Sequence, residues 1–579
     1  MTAPRFALTA LQVGALAVVA MAVTFREYEL DRFYVPKELV LHVAALLAGV
    51  ALLRWRGGDA LRPTGAAGWL LVAFTLASAV SAVFAPNGWL AFRALAVTVS
   101  GLVVFLAARG VAGAGLQRPL LAALALAVVA GTATALLQAY GVRWDIFSVN
   151  RAPGGTLGNR NSIAHLAALG MPLVLVVAVR ARRWWGYLPG ALGVALVAAA
   201  LVLTRSRAAW LGMAAVLALL AVSLVAAPAL RRHRRTGLRI AGIMLLCGGG
   251  VAGVLIAPNT LQWRSDSPYL DSLRGVADYR EGSGAGRLVQ YRQSLGMART
   301  TPVLGVGPGN WPVVYPEHAA QGDPSMSGGT PGTTSNPWPS SDWVAYVSER
   351  GFPAALLLVA AILALAGGAL RRLRHAAATE DALAAAALLG VLAGAIVTGL
   401  FDAVLLLAHP TFIVWAAAGA LSARTTSATD DIAEDAVAGS ALGAGFREVT
   451  YAGGHGHARE DVLPDDGADP AVAVAADASG GGARRAAGRA VVTALLLVTA
   501  VGAVRSSAQV YSMRAFSKAT DTATLQRAAR LDPGNYRLRL RLARPGSGLS
   551  RADRCAHADA AHALFPRAAE SRTLSRGCR

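Results

Sequence analysis

The sequence is dominated by apolar runs of close to 20 residues, which recur about thirteen times along the chain. A helix needs about 20 residues to cross the hydrocarbon core of a bilayer, and its backbone groups are satisfied within the helix. Of the 579 residues, 55% are hydrophobic and 15% are charged, a balance typical of a chain embedded in lipid. We therefore predict an all-α polytopic transmembrane bundle of about 12–13 spans.

The orientation of these spans follows from the placement of arginine. The clusters "RWRGGDALR", "RARRWW", "LRRHRRTGLR" and "LRRLRHAAATE" all fall in alternate connections. The positive-inside rule places such connections in the cytoplasm and therefore predicts a cytoplasmic N-terminus. The predicted spans lie near 7–25, 38–54, 67–86, 89–108, 118–139, 162–180, 185–204, 208–228, 238–257, 352–370, 382–401, 407–423 and 488–505.

This threading divides the chain into four parts. Residues 1–424 form the membrane domain, whose long extracytoplasmic loop runs from about 258 to 351. Residues 425–487 are rich in Gly, Ala and Asp and lack apolar periodicity, which predicts a disordered cytoplasmic linker. Residues 488–505 form an additional span, and 506–579 form an extracytoplasmic tail. His455 and His457 lie in the linker, where solvated side chains are expected more often than metal ligands.

The net charge of +21 does not indicate a nucleic-acid partner, because the arginines are dispersed and form no single basic face. Cysteine is scarce, with Cys247 in an apolar run and Cys555 and Cys578 near the C-terminus. No CxxC or Cys/His metal spacing occurs. Both C-terminal cysteines would lie outside the cytoplasm, where a disulfide between two short helices is an option that spacing alone does not establish.

Five motifs follow one another between roughly residues 30 and 425. They are "FYVPKELVLHVAALLAG", "GTLGNRNSIAHLAALGMPLVLVV", "LVLTRSRAAWLGM", "GRLVQYRQSLGMARTTPVLGVGPGNW" and "SSDWVAYVSERGFPAALLL". This ordered set resembles the O-antigen ligase family of membrane glycosyltransferases, which includes the related O-antigen polymerases. The resemblance implies transfer of a glycan from a polyprenyl diphosphate carrier to an acceptor hydroxyl at the extracytoplasmic side of a bacterial inner membrane, without a metal or other cofactor.

Two arginines are candidates for binding the diphosphate, since the planar guanidinium matches phosphate oxygens. Arg207 corresponds to the substrate-binding arginine of the family's Ser-Arg motif, and its alternative role is to reach the lipid headgroups. Arg205, two residues earlier, would point nearly opposite on a continuous helix. Arg287 corresponds to the arginine of the family's Gly-Arg pattern, and its alternative is a solvated face of an amphipathic helix.

Other polar residues accompany these arginines. Tyr291 follows Arg287 at i+4 and shares its helix face. Asn159 and Asn161 precede a span, where helix capping and hydrogen bonding to sugar or phosphate are both open. The stretch "GVGPGN" lacks a preceding strand and a P-loop lysine, so it predicts a tight turn before Trp311 rather than a nucleotide site.

The sequence departs from the family at the catalytic base. Where the better-known ligases carry an essential histidine, alignment of "SERG" places Ser340. A buried carboxylate can replace a histidine as general base, so Asp342 is the first candidate, with Glu349 second and His318 third. The alternative for Asp342 is a helix N-terminal acid favoured by the helix dipole.

Ionisable residues within membrane spans are functional candidates by default. Arg93, His165 and Asp402 are the main ones here, and Asp402 and His409 lie near an outer helix end, where a structural role is equally open.

The tail contains "AARLDPGNY", a cadence similar to the end of a tetratricopeptide repeat. One or two degenerate repeats fit, which predicts a helical cap on the membrane domain or on a partner protein.

Three other functions stay open from the sequence. A polymerase would use a second lipid-linked glycan as acceptor. A solute transporter is disfavoured because no internal repeat is found. An inactive scaffold is compatible with the missing histidine.

Overall fold

The computed structural model describes residues 2–148, 150–231, 234–275, 282–423 and 470–578. Apart from a single bridge between Met326 and Thr334, these residues contain no β-structure. The α-helices are α1 Ala3–Ala20, α2 Asp31–Arg54, α3 Gly65–Val83, α4 Gly88–Val111, α5 Gln117–Ala139, α6 Arg160–Arg180, α7 Trp184–Thr204, α8 Arg207–Ala226, α9 Pro228–Arg231, α10 Arg234–Ile256, α11 Pro268–Arg274, α12 Gly282–Thr300, α13 Trp311–Val314, α14 Asp342–His375, α15 Thr379–Phe401, α16 Ala408–Ser422, α17 Pro470–Lys518, α18 Thr522–Leu531, α19 Tyr536–Ala543, α20 Arg551–Leu564 and α21 Ala569–Arg576.

The predicted all-α membrane bundle is confirmed. Within the described residues, 11 helical stretches are long and apolar enough to cross a membrane, and one of them runs through both α4 and α5. The helix α16 has only 15 residues but is almost wholly buried between its neighbours. Each of the predicted spans therefore corresponds to one helix of the structure.

Because the spans alternate in direction, their connections collect at two faces. We call the face with the long connections the loop face and the opposite one the basic face, since the arginine-rich connections belong to it. Which face meets the cytoplasm stays a prediction. The described residues of the loop face are 21–30, 84–87, 140–148, 150–159, 205–206, 257–275, 282–341, 402–407 and 519–578. Those of the basic face are 55–64, 112–116, 181–183, 227–231 and 376–378.

Small residues allow the helices to approach closely, as is typical of membrane bundles. A Cβ atom at Gly419 of α16 would lie 2.2 Å from the carbonyl oxygen of Phe105 in α4. Likewise, a Cβ at Gly170 of α6 would lie 2.4 Å from the side chain of Val128 in α5. This packing leaves α6 at the centre of the bundle, where its loop-face end carries Asn161 and His165.

The stretch 301–311 is a turn, mostly buried from Val306 onward, that packs against a kink in α14. The helix α14 breaks its regular geometry at Gly351, where φ is 81° and ψ is 166°. The turn follows this break: the Val306 N–H donates to the Ser348 carbonyl at 3.0 Å, and the Gly307 N–H to the Glu349 carbonyl at 2.8 Å. The glycines of "GVGPGN" are therefore used for close backbone packing, and Gly305, Gly307 and Gly309 all have positive φ.

The C-terminal part differs in its boundaries from the sequence-based division. The helix α17 begins at Pro470, inside the segment predicted as linker, and continues past residue 505 to Lys518. Alanine predominates at its start, which favours helix. His455 and His457 lie outside the described residues.

The tail, α18 to α21, packs on the loop face. The Asn87 side chain donates to the Leu564 carbonyl at 3.0 Å, and the Ala569 N–H donates to the Pro331 carbonyl at 2.9 Å. The disulfide that the sequence left open is present between Cys555 and Cys578 and links α20 to the end of α21, with an S–S distance of 1.97 Å. The tail thus contacts both the α3–α4 connection and the long connection 257–341.

Candidate active site

A group of buried and half-buried polar side chains lies at the loop-face ends of the central helices. We call it the polar cluster, and it consists of Lys37, Asn161, His165, Asp402 and His409. These residues come from α2, α6, the connection 402–407 and α16. Polar and ionisable groups at such depth are costly in a membrane protein and mark functional positions.

Asp402 is the central acceptor of the polar cluster. Its Oδ2 accepts a hydrogen bond from the Asn161 amide at 3.0 Å and lies 3.6 Å from Nε2 of His165. Its Oδ1 accepts the N–H of Ala403 at 2.9 Å. The Asp402 side chain is 19% exposed, whereas that of His165 is 2% exposed. The carboxylate therefore reaches the surface of the cluster while His165 lies behind it.

Lys37 and His409 form the other half of the polar cluster. The Lys37 ammonium is fully buried and donates to the Thr156 carbonyl at 2.8 Å and to the Met21 carbonyl. The His409 ring is also fully buried, and neither of its nitrogens has a hydrogen-bond partner among the described residues. The charges of Lys37 and His165 both act on this ring. Two basic groups thus stand close together without a carboxylate between them.

Aromatic rings cover the polar cluster on the side of the long connection. The Tyr34 ring stacks on His409 with centroids 6.5 Å apart, and Trp338 contacts Tyr34 edge-on at 5.1 Å. Trp338 lies two residues before Ser340, so the position that carries the family's histidine borders this cluster. Flat rings beside polar groups are suited to binding a sugar or a prenyl chain.

Two arginines beside the polar cluster have no counter-ion in the described part of the chain. Arg287, on α12, is half-buried, and its charge acts on His165. Arg151, in the connection 140–159, is also half-buried, and its charge acts on Tyr34. Neither side chain has a hydrogen bond or an ion pair with another described residue. These guanidinium groups are available to an anionic ligand.

Arg207 lies in a second group of cations. Its guanidinium donates to the Gly275 carbonyl, at the end of the short helix α11. Arg205 and Arg160 both place their guanidinium groups over the Trp263 ring, at 4.6 and 5.3 Å. Arg160 directly precedes Asn161, so this group adjoins the α6 end of the polar cluster.

The expectation for Arg205 was based on a continuous helix, which the structure does not have. Arg205 separates α7 from α8 and has a φ of 55°, the only positive value for a non-glycine residue in the described chain. Its Nε donates to the Ser272 hydroxyl at 2.9 Å. Burial lowers the pKa of this guanidinium from its ordinary value. Arg205 therefore faces the long connection together with Arg160.

Asn159 and Tyr291 organise the backbone around the polar cluster. The Asn159 side chain caps α6 by accepting the Asn161 N–H at 3.0 Å, as the capping alternative predicts. The Tyr291 hydroxyl lies 2.6 Å from the Ser340 carbonyl and 2.8 Å from the Leu400 carbonyl. Tyr291 thus joins α12 to the start of α14 and to the end of α15, two residues before Asp402.

Asp342 is an internal anchor in the structure. It is fully buried, and its two oxygens accept the N–H groups of Val404 and Leu405 at 2.8 and 2.9 Å. These bonds fix the connection 402–407 that carries Asp402. A fully buried carboxylate with both oxygens engaged by backbone has no access to an acceptor, whereas Asp402 is partly exposed, so the geometry favours a positioning role for Asp342 over that of general base.

Glu349 is engaged in the same way by the glycine-rich turn. It is 2% exposed, its Oε2 accepts the Gly309 N–H at 2.8 Å and its Oε1 the Trp311 N–H at 3.2 Å. His318 follows Glu317, whose carboxylate pairs with Arg567 of the tail at 3.0 Å. The side chain of His318 makes no hydrogen bond within the described ranges. Of the three expected bases, the structure brings none into contact with Asn161 or His165.

Arg93 is a structural residue by its geometry. Its guanidinium forms a forked pair with Glu38 at 2.8–3.0 Å and also contacts Asp31 at 3.0 Å. An arginine paired to two carboxylates holds α4 against α2.

The sequence pointed to the individual members of the polar cluster more weakly than to the arginines. His165, Asp402 and His409 were noted as intramembrane ionisable residues, and Lys37 stood in the family's Pro-Lys motif. No sequence pattern indicated that these four residues lie together. They are far apart in the chain, so only the packing of α2, α6 and α16 brings them together. A search for all ionisable residues near one end of the spans would have collected them.

Comparison with known protein families gives a match over the middle of the chain. Residues 192–359 match the family model described as O-antigen ligase, a stretch that includes Arg207, Arg287, Tyr291 and Glu349. No curated protein matches the chain significantly in sequence. The tail lies outside the match, and its tetratricopeptide character stays a prediction. The match covers less than a third of this multi-pass membrane protein, so residues 192–359 are similar to the O-antigen ligase family, and the match indicates a glycosyltransferase-like role of the ligase or related polymerase type.

Proposed function

We propose that the protein transfers a glycan from a polyprenyl diphosphate carrier to an acceptor hydroxyl at the loop face. The observation that carries this proposal is the pair of arginines without counter-ions, Arg151 and Arg287, beside a polar cluster that presents one partly exposed carboxylate. By the positive-inside rule, the loop face is extracytoplasmic and the N-terminus is in the cytoplasm. The membrane would then be the inner membrane of a bacterium.

The arginines would hold the diphosphate. Arg287 and Arg151 lie beside the polar cluster, and Arg207 adjoins it through the group around Trp263. Fixed guanidinium groups stabilise the negative charge that develops on the leaving diphosphate, and they need no reorganisation during the reaction. Asn161, whose amide already contacts Asp402, would donate to a sugar or phosphate oxygen when Asp402 turns towards the acceptor. No metal or cofactor is needed for this charge balance.

Asp402 would act as the general base in place of Asp342. The acceptor oxygen attacks the anomeric carbon, its bond to that carbon forms, and the bond from the anomeric carbon to the diphosphate oxygen breaks with inversion. The acceptor proton passes to Asp402 Oδ2, and the polyprenyl diphosphate leaves as the anion. Asp342 would position this base, because its carboxylate holds the backbone two and three residues further along.

The test is glycan transfer by the purified full-length protein with a lipid-linked glycan and an acceptor. We expect Arg287→Ala and Arg151→Ala each to lower turnover about 10- to 100-fold, the value of one charge-assisted hydrogen bond. Asp402→Asn should lower it at least as much. Arg299→Ala is the matched control, since Arg299 is an exposed arginine of the same helix as Arg287. Wild-type turnover in both Arg287→Ala and Arg151→Ala would contradict the proposal.

The same assay separates ligation from polymerisation. A ligase adds one preassembled glycan to a different acceptor, whereas a polymerase extends one lipid-linked glycan with another and yields a ladder of lengths. The polar cluster is compatible with both acceptors, because both offer a sugar hydroxyl.

A further inference from the structure

A cavity of about 940 Å³ opens on the basic face, far from the polar cluster. It lies between the connection 55–64 and the helices α3, α4, α14 and α15, and its floor includes Phe105, Leu365 and Leu388. Asp342 and Arg371 stand near opposite ends of α14, about 40 Å apart along the helix axis at 1.5 Å per residue. The cavity is therefore separate from the proposed transfer site.

The rim of this cavity carries more positive than negative charge. Arg109 donates to the carbonyls of Thr64 at 3.2 Å and Arg62 at 2.5 Å. Arg371 is exposed and makes a weak contact of 3.4 Å with the Gly367 carbonyl. Neither Arg109 nor Arg371 has a carboxylate within 4 Å in the part of the chain that the structure describes.

The remaining ionisable lining residues do not cancel this charge. The Arg372 guanidinium forms an ion pair with Asp381 at 3.5 Å. Asp59 is the acidic residue among those that line the cavity, and its carboxylate lies 3.5 Å from the Arg62 guanidinium. Two guanidinium groups are left to attract an anion, and arginine binds phosphate oxygens more specifically than lysine does.

Apolar side chains line part of the cavity, among them Phe105, Leu365 and Leu388. Leu365 lies six residues before Arg371 on α14, about 9 Å deeper along the helix. Trp55 stands at the rim, the position that tryptophan favours at a membrane surface. Gly368 faces open space, since a Cβ there would meet no atom within 4 Å. A basic rim above an apolar wall matches an anionic headgroup with its acyl chain.

We infer that this cavity binds an anionic glycerophospholipid, with the phosphate held by Arg109 and Arg371 and one acyl chain lying against Phe105 and Leu365. Basic pockets between transmembrane helices bind phosphorylated headgroups for this reason. The lipid would fill the space between α4 and α14 and stabilise the bundle by mass action.

The test uses the full-length protein, delipidated in a neutral detergent, with phosphatidylglycerol as the probe. We expect native mass spectrometry to show one retained phosphatidylglycerol, and thermal unfolding to shift upward with phosphatidylglycerol more than with phosphatidylcholine. Gly368→Leu projects a side chain into the cavity where an acyl chain would lie and should reduce this difference. Gly367→Leu is the matched control, because its Cβ also meets no atom within 4 Å but Gly367 does not line the cavity. Arg371→Gln should weaken phosphatidylglycerol binding about 10-fold, the value of one charge-assisted contact.

Several results would overturn the inference. An equal shift of the unfolding temperature with phosphatidylcholine would show that the headgroup charge does not matter. An equal shift with inorganic phosphate would show that the apolar wall does not contribute to binding. Preference for a polyprenyl phosphate over phosphatidylglycerol would assign the cavity to the carrier instead. A wild-type response in Gly368→Leu, at an unchanged unfolding temperature without lipid, would exclude this cavity as the site.

Discussion

Replacement of Glu349 distinguishes a structural carboxylate from a catalytic one. In Glu349→Ala the N–H groups of Gly309 and Trp311 stay buried and lose their acceptor. A buried donor without a partner costs about 1–3 kcal/mol, so we expect the free energy of unfolding to fall by about 2–6 kcal/mol. Glu349→Gln keeps one carbonyl oxygen as acceptor but turns its amide N–H group towards the other backbone donor. We therefore expect the free energy of unfolding to fall by about 1–3 kcal/mol in this variant.

The measurement is unfolding of the purified protein in mixed detergent, followed by tryptophan fluorescence and by size-exclusion chromatography after heating. The order of stability should be wild type, then Glu349→Gln, then Glu349→Ala. Glu317→Ala is the control: its partly exposed pair with Arg567 should contribute no more than about 1 kcal/mol.

The outcome that refutes this reasoning is specific. If Glu349→Ala unfolds at the wild-type temperature while glycan transfer is lost, the carboxylate takes part in the chemistry and the turn 301–311 does not depend on it. Loss of transfer in proportion to the loss of stability agrees with the structural role.

Three further predictions use other parts of the fold. Gly351→Ala forces a side chain into a backbone conformation that only glycine adopts readily, which costs about 1–3 kcal/mol. The new Cβ would also lie 2.1 Å from the Val303 carbonyl oxygen, so thermal unfolding should show a loss of stability of at least about 3 kcal/mol. Gly367→Ala lies in open space on the same helix and should raise the stability by up to about 1 kcal/mol. Cys555→Ser opens a loop of 23 residues, worth about 3 kcal/mol of tail stability, and limited proteolysis should then cut the tail while the membrane bundle stays intact. Asp342→Asn should speed hydrogen exchange at the N–H groups of Val404 and Leu405 and reduce transfer, and unchanged exchange would contradict its anchoring role.

The membrane spans were predictable from the sequence because the signal is local. An apolar run of about 20 residues can be recognised as a span without knowing what packs against it. The helix over residues 282–300 could be predicted from its own sequence in the same way. The kink of α14 was not predictable, because Gly351 and Pro353 are compatible with a helix start at 352 and with a bent helix. The packing of the turn 301–311 against this point decides between them.

The site was only partly predictable. Arg287 and Asn161 were identified by motif, and the structure brings both to the polar cluster. Asp342 and Glu349 were chosen as carboxylates that could replace the family's histidine, but their place in the sequence does not tell which groups lie opposite them. Here backbone N–H groups lie opposite each of them. The role of His409 was underestimated because Tyr34 and Lys37, the residues beside it, belong to α2, which lies about two thirds of the chain earlier.

The docked tail has a consequence for biogenesis. Its helices contact Pro331 and Asn87, which leave the ribosome long before the tail does. The loop face therefore stays uncovered through most of synthesis and is closed only when the tail has docked and the Cys555–Cys578 disulfide has formed. Premature termination anywhere after α17 would yield a bundle with an uncovered loop face, which quality-control proteases could recognise.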